Sequence, residues 1–410
     1  MRRLGGAVIP MQLNSEVLNR VTYLTGTAEI AAQLPNINAK KPFSEDIVEF
    51  LNEVSKELMK TGKGFSDVIT LGFWIRKGSV LKLKERFDEN QKGFHLGKGV
   101  AFHIAPSNVP VNFAYSLVSG LLTGNANVVR VPSKDFPQVG IITKAINKVL
   151  DEFEELRPYV ICTRYGRDKD INDLFSSVAD VRVVWGGDQT IAELRKSPLP
   201  PRAGEITFAD RYSLAVIDAD IYLSIDDKER VAENFYNDTF FSDQNACTSP
   251  RIVVWTGHKI DEAKKIFWET EHALVEKKYT FQSIQGVNKL TKGYLIAAVE
   301  PGVKIEEHED NLIMRVKVPN ISDDLMNYRD NSGYFYEFDC ENVLDLIPLC
   351  NNKRCQTVGY IGSSEVLLPL IQAGIKGIDR VVPIGKTMDF DLIWDGYNLP
   401  ALLTRTIVMR

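Results

Sequence analysis

Between residues 99 and 218, short apolar runs alternate with longer runs of helical periodicity, and this rhythm limits the fold more than any other feature. The segments 99–105, 127–131, 160–163, 181–185 and 213–218 are rich in Val and Ile and read as strands. The segments 111–122, 136–154, 171–178 and 188–196 read as helices between them. Strands spaced by helices of this length need right-handed crossovers, so the pattern predicts an α/β chain with a parallel sheet covered on both faces. Ligands of such sheets bind beyond the carboxyl ends of strands, here the turns at 105–110, 131–134 and 185–188.

Before this region, Ser44 is placed to cap a helix with Glu45 and Asp46 in its first turn. Ile47, Leu51, Val54 and Leu58 form its apolar stripe, and Thr61-Gly62 closes it. Residues 1–40 read as short strands and turns. After Asp220 a second unit is expected: a helix over 226–239, a strand over 251–255, a helix over 261–279, and a mixed region to about residue 330. A strand (333–338), a helix (341–350), a strand (357–361) and an irregular tail follow. A chain of 410 residues exceeds one hydrophobic core. The domains are therefore expected at 1–219 with 381–410, for nucleotide binding, and at 220–380, for a catalytic thiol.

Composition narrows the partners. A formal net charge of −5 argues against nucleic acid or an anionic membrane as the main surface bound. No apolar run approaches the ~20 residues of a membrane span, and residues 1–10 lack a signal-peptide core, so a cytoplasmic location is expected. The five cysteines, at 162, 247, 340, 350 and 355, are scattered and odd in number, which fits reduced thiols. No CxxC pair is present and the histidines do not cluster with the cysteines, so no metal site is expected. His103 lies in an alternating strand and is expected in the sheet rather than as a base.

The stretch Phe240-Phe241-Ser242-Asp243-Gln244-Asn245-Ala246-Cys247-Thr248-Ser249-Pro250-Arg251 sets a cysteine in an amide- and hydroxyl-rich loop between a helix and a strand. Such a loop can present a reactive thiol to a cleft. A thiolate is a soft nucleophile for acyl carbons, and its pKa falls beside helix N-termini or hydrogen-bond donors. The GxGxxG fingerprint is absent, because Gly97-Lys98-Gly99 precedes a strand instead of following one.

Gly99-Val100-Ala101-Phe102-His103-Ile104-Ala105-Pro106-Ser107-Asn108-Val109-Pro110 resembles the strand and Pro-x-Asn-x-Pro turn of the aldehyde dehydrogenase superfamily. Arg130-Val131-Pro132-Ser133-Lys134 resembles its cofactor motif, and Phe240 to Cys247 resembles its nucleophile loop. Together with Val184-Trp185-Gly186-Gly187-Asp188, Ala209-Asp210-Arg211-Tyr212-Ser213 and Ile393-Trp394-Asp395-Gly396-Tyr397, the set is most similar to the LuxC-like long-chain acyl-CoA reductases, from about residue 95 onward. The resemblance implies a Rossmann-type nucleotide-binding domain joined to an α/β catalytic domain.

The resemblance also implies roles. Cys247 becomes the acyl-carrying nucleophile, and its own N–H and the Asn108 amide become the oxyanion donors. Pro106, Ser107, Arg130, Ser133, Lys134, Gly186 and Gly187 become cofactor contacts. NAD-preferring relatives carry a glutamate where Lys134 stands; Lys134, Arg130 and Ser133 suit a 2′-phosphate, which implies NADPH. The implied reaction is reduction of a long-chain fatty acyl thioester, acyl-CoA or acyl-protein, to the aldehyde. Thr207 or Phe208 falls where hydrolytic members hold a water-activating glutamate. An aldehyde-oxidising dehydrogenase using Glu205 as base is the enzymatic alternative, and an acyl-transfer subunit of a multi-enzyme complex is the other. An acyl-activating synthetase partner and a homo-oligomer are implied as well. No Glu-x-Phe-Gly-Pro segment precedes Tyr334, so nicotinamide-ribose contacts are unassigned.

Overall fold

Val100–Ile104 is buried at every position, as expected of a strand with a neighbour on each side and helices over both faces. The computed structural model describes residues 3–4, 7–8, 13–306 and 310–410. It divides into two compact units, residues 1–209 with 397–410, and residues 210–396.

In the first unit, six strands lie in the order Thr22–Thr25, Val160–Arg164, Ala126–Arg130, Val100–Ile104, Val181–Trp185 and Gly204–Phe208. All neighbours run parallel except the edge strand Thr22–Thr25, which is antiparallel to Val160–Arg164. The chain leaves Val100–Ile104 to one side for Ala126–Arg130 and later returns on its other side at Val181–Trp185. That reversal opens a crevice at the carboxyl ends of these three strands. His103 is fully buried in the sheet, bonded to Ser116 Oγ at 2.7 Å and Asn127 Oδ1 at 3.0 Å, and Trp185 Nε1 donates to the same Ser116 oxygen at 3.0 Å. Burial lowers the His103 pKa to about 4, so the ring is a neutral structural link.

In the second unit, seven strands lie in the order Lys304–Glu306, Met314–Lys317, Tyr334–Asp339, Pro250–Thr256, Tyr212–Asp218, Cys355–Ile361 and Arg380–Pro383. All pairs are parallel except Lys304–Glu306 with Met314–Lys317. Aromatic side chains from helices Lys228–Asp238 and Ile260–Lys278, including Phe235, Phe267 and Trp268, pack on one face.

Several expectations change. The domain boundaries move from 219/220 to 209/210 and from 380/381 to 396/397. The reason is that Tyr212–Asp218 and Arg380–Pro383 are strands of the second sheet, hydrogen-bonded to its other members. The mixed region before residue 330 holds a 17-residue helix, Ser283–Val299. Ser44 occupies the N-cap position, yet its side chain makes no capping bond. Cys350 and Cys355 are free thiols with sulfurs 4.0 Å apart. No helix of the described residues is long and apolar enough to cross a membrane.

Candidate active site

The crevice of the first sheet is a cleft of about 400 Å³, within the usual range for small-molecule sites. Four turns line it. Ala105, Pro106 and Ser107 follow Val100–Ile104, Val131 and Ser133 follow Ala126–Arg130, and Gly186 follows Val181–Trp185, as the strand-end rule predicts. The turn after Val160–Arg164 adds Arg167 and Lys169. Arg130 lines the wall, its guanidinium donating to the Gly166 carbonyl at 3.1 Å and lying over the Tyr165 ring at 4.8 Å. Arg167 is exposed and makes no ion pair among the described residues.

Five of the seven expected cofactor contacts, Pro106, Ser107, Arg130, Ser133 and Gly186, thus share one cleft. Lys134 and Gly187 are not in its lining; the Lys134 ammonium lies over the Phe136 ring at 5.0 Å. The cationic wall is therefore Arg130, Arg167 and Lys169. The motif resemblance that points to Lys134 says nothing of the turn at 166–169, although the strand-end rule applies to that turn too. Asn108 is exposed in the first turn, and its side chain makes no hydrogen bond among the described residues. An ordinary Asx turn would have used that amide.

The nucleophile loop lies in the second unit, at the amino ends of the strands. Phe240–Ser242 forms one 3₁₀ turn, after which Asp243 and Gln244 both take left-handed backbone conformations, φ 55° and 56°. Two successive non-glycine residues in this region are strained and persist only when surroundings hold them. Gln244 supplies much of that hold. Its fully buried amide nitrogen donates to the carbonyls of Pro250 (2.9 Å) and Tyr334 (3.1 Å), while its oxygen accepts from the N–H groups of Gly333 (3.0 Å) and Tyr334 (3.2 Å). All the usual bonding capacity of the amide is used. Asp243 Oδ1 accepts from Ser332 Oγ at 2.8 Å, Gln285 Nε2 at 3.2 Å and the Tyr279 hydroxyl. Arg251 donates to the Gln244 carbonyl at 2.9 Å, and Asn331 Nδ2 donates to Asn245 Oδ1 at 2.7 Å.

Cys247 itself is half-buried. Its carbonyl accepts from Ser213 Oγ at 2.7 Å, and that oxygen also accepts from the Thr357 N–H at 3.2 Å. One hydroxyl thereby ties the nucleophile to two neighbouring strands. Burial pushes the Cys247 thiol above its ordinary pKa; the Arg211 backbone N–H and the Arg251 charge oppose the shift, while Asp210 and Asp395 reinforce it. Cys247 starts no helix, and desolvation outweighs its donors, so the lowering that helix termini and donors give a thiol does not prevail here.

Glu205 is committed elsewhere. Arg182 Nε (2.9 Å) and Nη2 (2.5 Å) hold one carboxylate oxygen and Arg195 Nε (2.7 Å) the other. Burial alone would raise its pKa, but the two arginines hold it below the ordinary range. It lies on the edge strand Gly204–Phe208 as half of an ion-pair clamp, a poor place for a base. Sequence reading missed this strand because only Ile206 and Phe208 turn inward. Among the described residues, no three His, Cys, Asp or Glu side chains converge as metal ligands.

Comparison with known proteins agrees with this architecture. The chain shares the aldehyde dehydrogenase fold: a benzaldehyde dehydrogenase from Corynebacterium glutamicum superposes with a TM-score of 0.63 at 15% identity, covering 98% of both chains. Lactaldehyde dehydrogenase from Escherichia coli does so with a TM-score of 0.58 at 13% identity, covering 93% of this chain and 86% of that one. Residues 36–280, more than half of the chain, match the acyl-CoA reductase (LuxC) family, and the chain belongs to that family. Among characterised relatives, the long-chain acyl-protein thioester reductase of Aliivibrio fischeri is 24% identical over 298 residues, which are 72% of this chain and 60% of that protein. The Vibrio harveyi protein of the same description is 25% identical over 304 residues, with the same coverage. The chain therefore spans about 60% of the length of these relatives.

Proposed function

We propose that the chain reduces a long-chain fatty acyl thioester to the fatty aldehyde through an acyl-enzyme on Cys247, using NADPH. The observation that carries this reading is the nucleophile loop: a half-buried thiol whose backbone is held by Ser213 on one side and by Gln244 and Asp243 on the other. The names of the relatives, all long-chain acyl-protein thioester reductases, support the substrate class.

The Cys247 sulfur attacks the acyl carbonyl carbon, the donor's carbon–sulfur bond breaks, and the Cys247 proton leaves with the departing thiol. The resemblance supplies two oxyanion donors, the Cys247 N–H and the uncommitted Asn108 amide. The ion-paired state of Glu205 supports a thioester that awaits reduction over one that is hydrolysed.

The cleft suits a phosphorylated dinucleotide. It combines Arg130, Arg167 and Lys169, the last ion-paired with Asp173 at 2.6 Å, with the Ser107 and Ser133 hydroxyls; Glu193, paired with Lys196 at 2.5 Å, lines the same cleft. Gly186 sits where an added Cβ would press on Thr190 at 3.1 Å. When bound, NADPH supplies the hydride that replaces the carbon–sulfur bond of the Cys247 thioester by a carbon–hydrogen bond. An acyl-activating synthetase that loads Cys247, and a cytoplasmic setting, complete the proposal.

The test is oxidation of NADPH, followed by nicotinamide absorbance, with a long-chain acyl-CoA and with NADH as control. Turnover lost in Cys247→Ala and weaker with NADH is expected. Wild-type protein that is acylated on Cys247 without oxidising either cofactor would replace the reductase reading with an acyl-transfer subunit. Acid formed from aldehyde without a thiol acceptor would replace it with an oxidising dehydrogenase.

A further inference from the structure

Helix Ser283–Val299 places a lysine among its buried positions. Lys289 is fully buried, and a charge there is costly unless oxygen acceptors replace the water it has lost. They do: Nζ donates to the carbonyls of Asn311 (2.6 Å), Leu312 (2.9 Å) and Ser332 (2.7 Å), which uses every N–H of the ammonium. The Phe281 ring centroid lies 4.9 Å from the same nitrogen. Burial lowers the Lys289 pKa to about 8, against the charges of Asp330, Asp310 and Asp243, so the group keeps its charge near neutral pH. The backbone it gathers is strained. Asn311 and Ser332 hold left-handed conformations, φ 57° and 61°, as Asp243 and Gln244 do in the nucleophile loop.

The segment 330–333 is what joins this lysine to the thiol. The Ser332 N–H donates to the Asp243 carbonyl at 3.3 Å and its Oγ to Asp243 Oδ1 at 2.8 Å. The Gly333 N–H donates to Gln244 Oε1 at 3.0 Å, and Asn331 Nδ2 donates to Asn245 Oδ1 at 2.7 Å. Residues 243, 244 and 245, just before Cys247, therefore all take their setting from a segment that Lys289 holds by a carbonyl. We propose that Lys289 is a positioning residue for Cys247: its ammonium fixes the 330–333 segment, and that segment fixes the loop that aims the thiol. Its consequence for the reaction rests on the reading of Cys247 as the acyl-carrying nucleophile. No neutral side chain of this length offers as many donors from one atom, and the flat fork of an arginine does not converge on oxygens as a tetrahedral ammonium does.

Two reactions of Cys247 in the full chain test this, each followed by peptide mass mapping: acylation by a long-chain acyl-CoA and alkylation by iodoacetamide. Lys289→Met keeps the bulk of the side chain and removes its donors. It should slow acylation at least about tenfold, because the thiol is no longer aimed. It should speed alkylation at neutral pH about threefold or more, because a loosened loop admits water to the thiol. Cys162, Cys340, Cys350 and Cys355, all buried and free, report unfolding and should stay unlabelled. Ser332→Ala, which cuts the side-chain link to Asp243, should shift both rates in the same directions by less. In Lys289→Ala, added n-propylammonium, which carries the atoms that substitution removes, should restore acylation. Unchanged alkylation of Cys247 in Lys289→Met would overturn the proposal. So would labelling of all five cysteines in that variant with Ser332→Ala indistinguishable from wild type. A wild type that acyl-CoA does not acylate would instead overturn the reading of the reaction, and the alkylation rates would still decide the role of Lys289.

Discussion

The two parallel sheets place chemistry at opposite ends of their strands. The first sheet opens its cleft at the carboxyl ends of Val100–Ile104, Ala126–Arg130 and Val181–Trp185, where turns and cations face a mostly preformed space. The second sheet holds Cys247 at the amino ends, just before Pro250–Thr256, on a strained loop fixed by buried side-chain hydrogen bonds. One site is built by topology and the other by specific side chains. Topology tolerates substitution of any one lining residue, whereas a loop with consecutive left-handed residues depends on the few groups that hold it.

Substitutions can break or sharpen that contrast. Cys247→Ala should lower acyl-CoA reduction by at least about a thousandfold, while nucleotide binding to the first unit, read by fluorescence titration, stays intact. Loss of both would erase the division of labour. Gln244→Ala removes four buried hydrogen bonds and should destabilise the protein by about 2–4 kcal/mol in chemical denaturation. Iodoacetamide alkylation of Cys247 should also lose its wild-type pH profile, which is expected to climb above the ordinary thiol range because burial raises the pKa. A profile unchanged by Gln244→Ala would show that the loop holds its shape without the amide.

On the cleft side the effects should be smaller. Arg167→Glu should weaken NADPH binding about tenfold or more while leaving NADH nearly unchanged, as isothermal titration would report. Equal losses for both cofactors would place Arg167 away from a 2′-phosphate. Glu271 probes packing rather than either site. It is fully buried on helix Ile260–Lys278 with neither oxygen hydrogen-bonded, and burial raises its pKa well above the ordinary value. Such a group is held protonated in the fold. Its contribution is present below the unfolded carboxyl pKa and is lost as pH rises through the raised folded value. Glu271→Met should therefore raise the unfolding temperature by a few degrees, about 1–2 kcal/mol, at alkaline pH and by less near pH 4. Lys134→Ala should change NADPH affinity least, by roughly two- to threefold at most, since an exposed charge beside the cleft is screened.

The comparison also explains what could be read in advance. The βα alternation, the cleft-lining turns at Pro106, Ser133 and Gly186, and the cysteine in its loop are local: each depends on periodicity or on turn residues within a few positions. The edge strand Gly204–Phe208 and the helix Ser283–Val299 were hidden for the opposite reason. The first turns only two side chains inward, and the second spends three of its four buried positions on two glycines and a lysine, leaving Ile296 as the apolar one.

By itself, then, the sequence determined the class of fold, the nucleophile candidate and most of the cleft. Those follow from patterns that any chain of this spacing must satisfy. Only tertiary structure decided that Glu205 is clamped by two arginines, that the Cys247 thiol is raised rather than lowered in pKa, and that Gln244 holds the loop. The domain boundary at Tyr212–Asp218 belongs with these. Each depends on groups distant in sequence meeting in a low-dielectric interior, where desolvation and hydrogen-bond partners set protonation and conformation, and neither can be read from spacing along the chain.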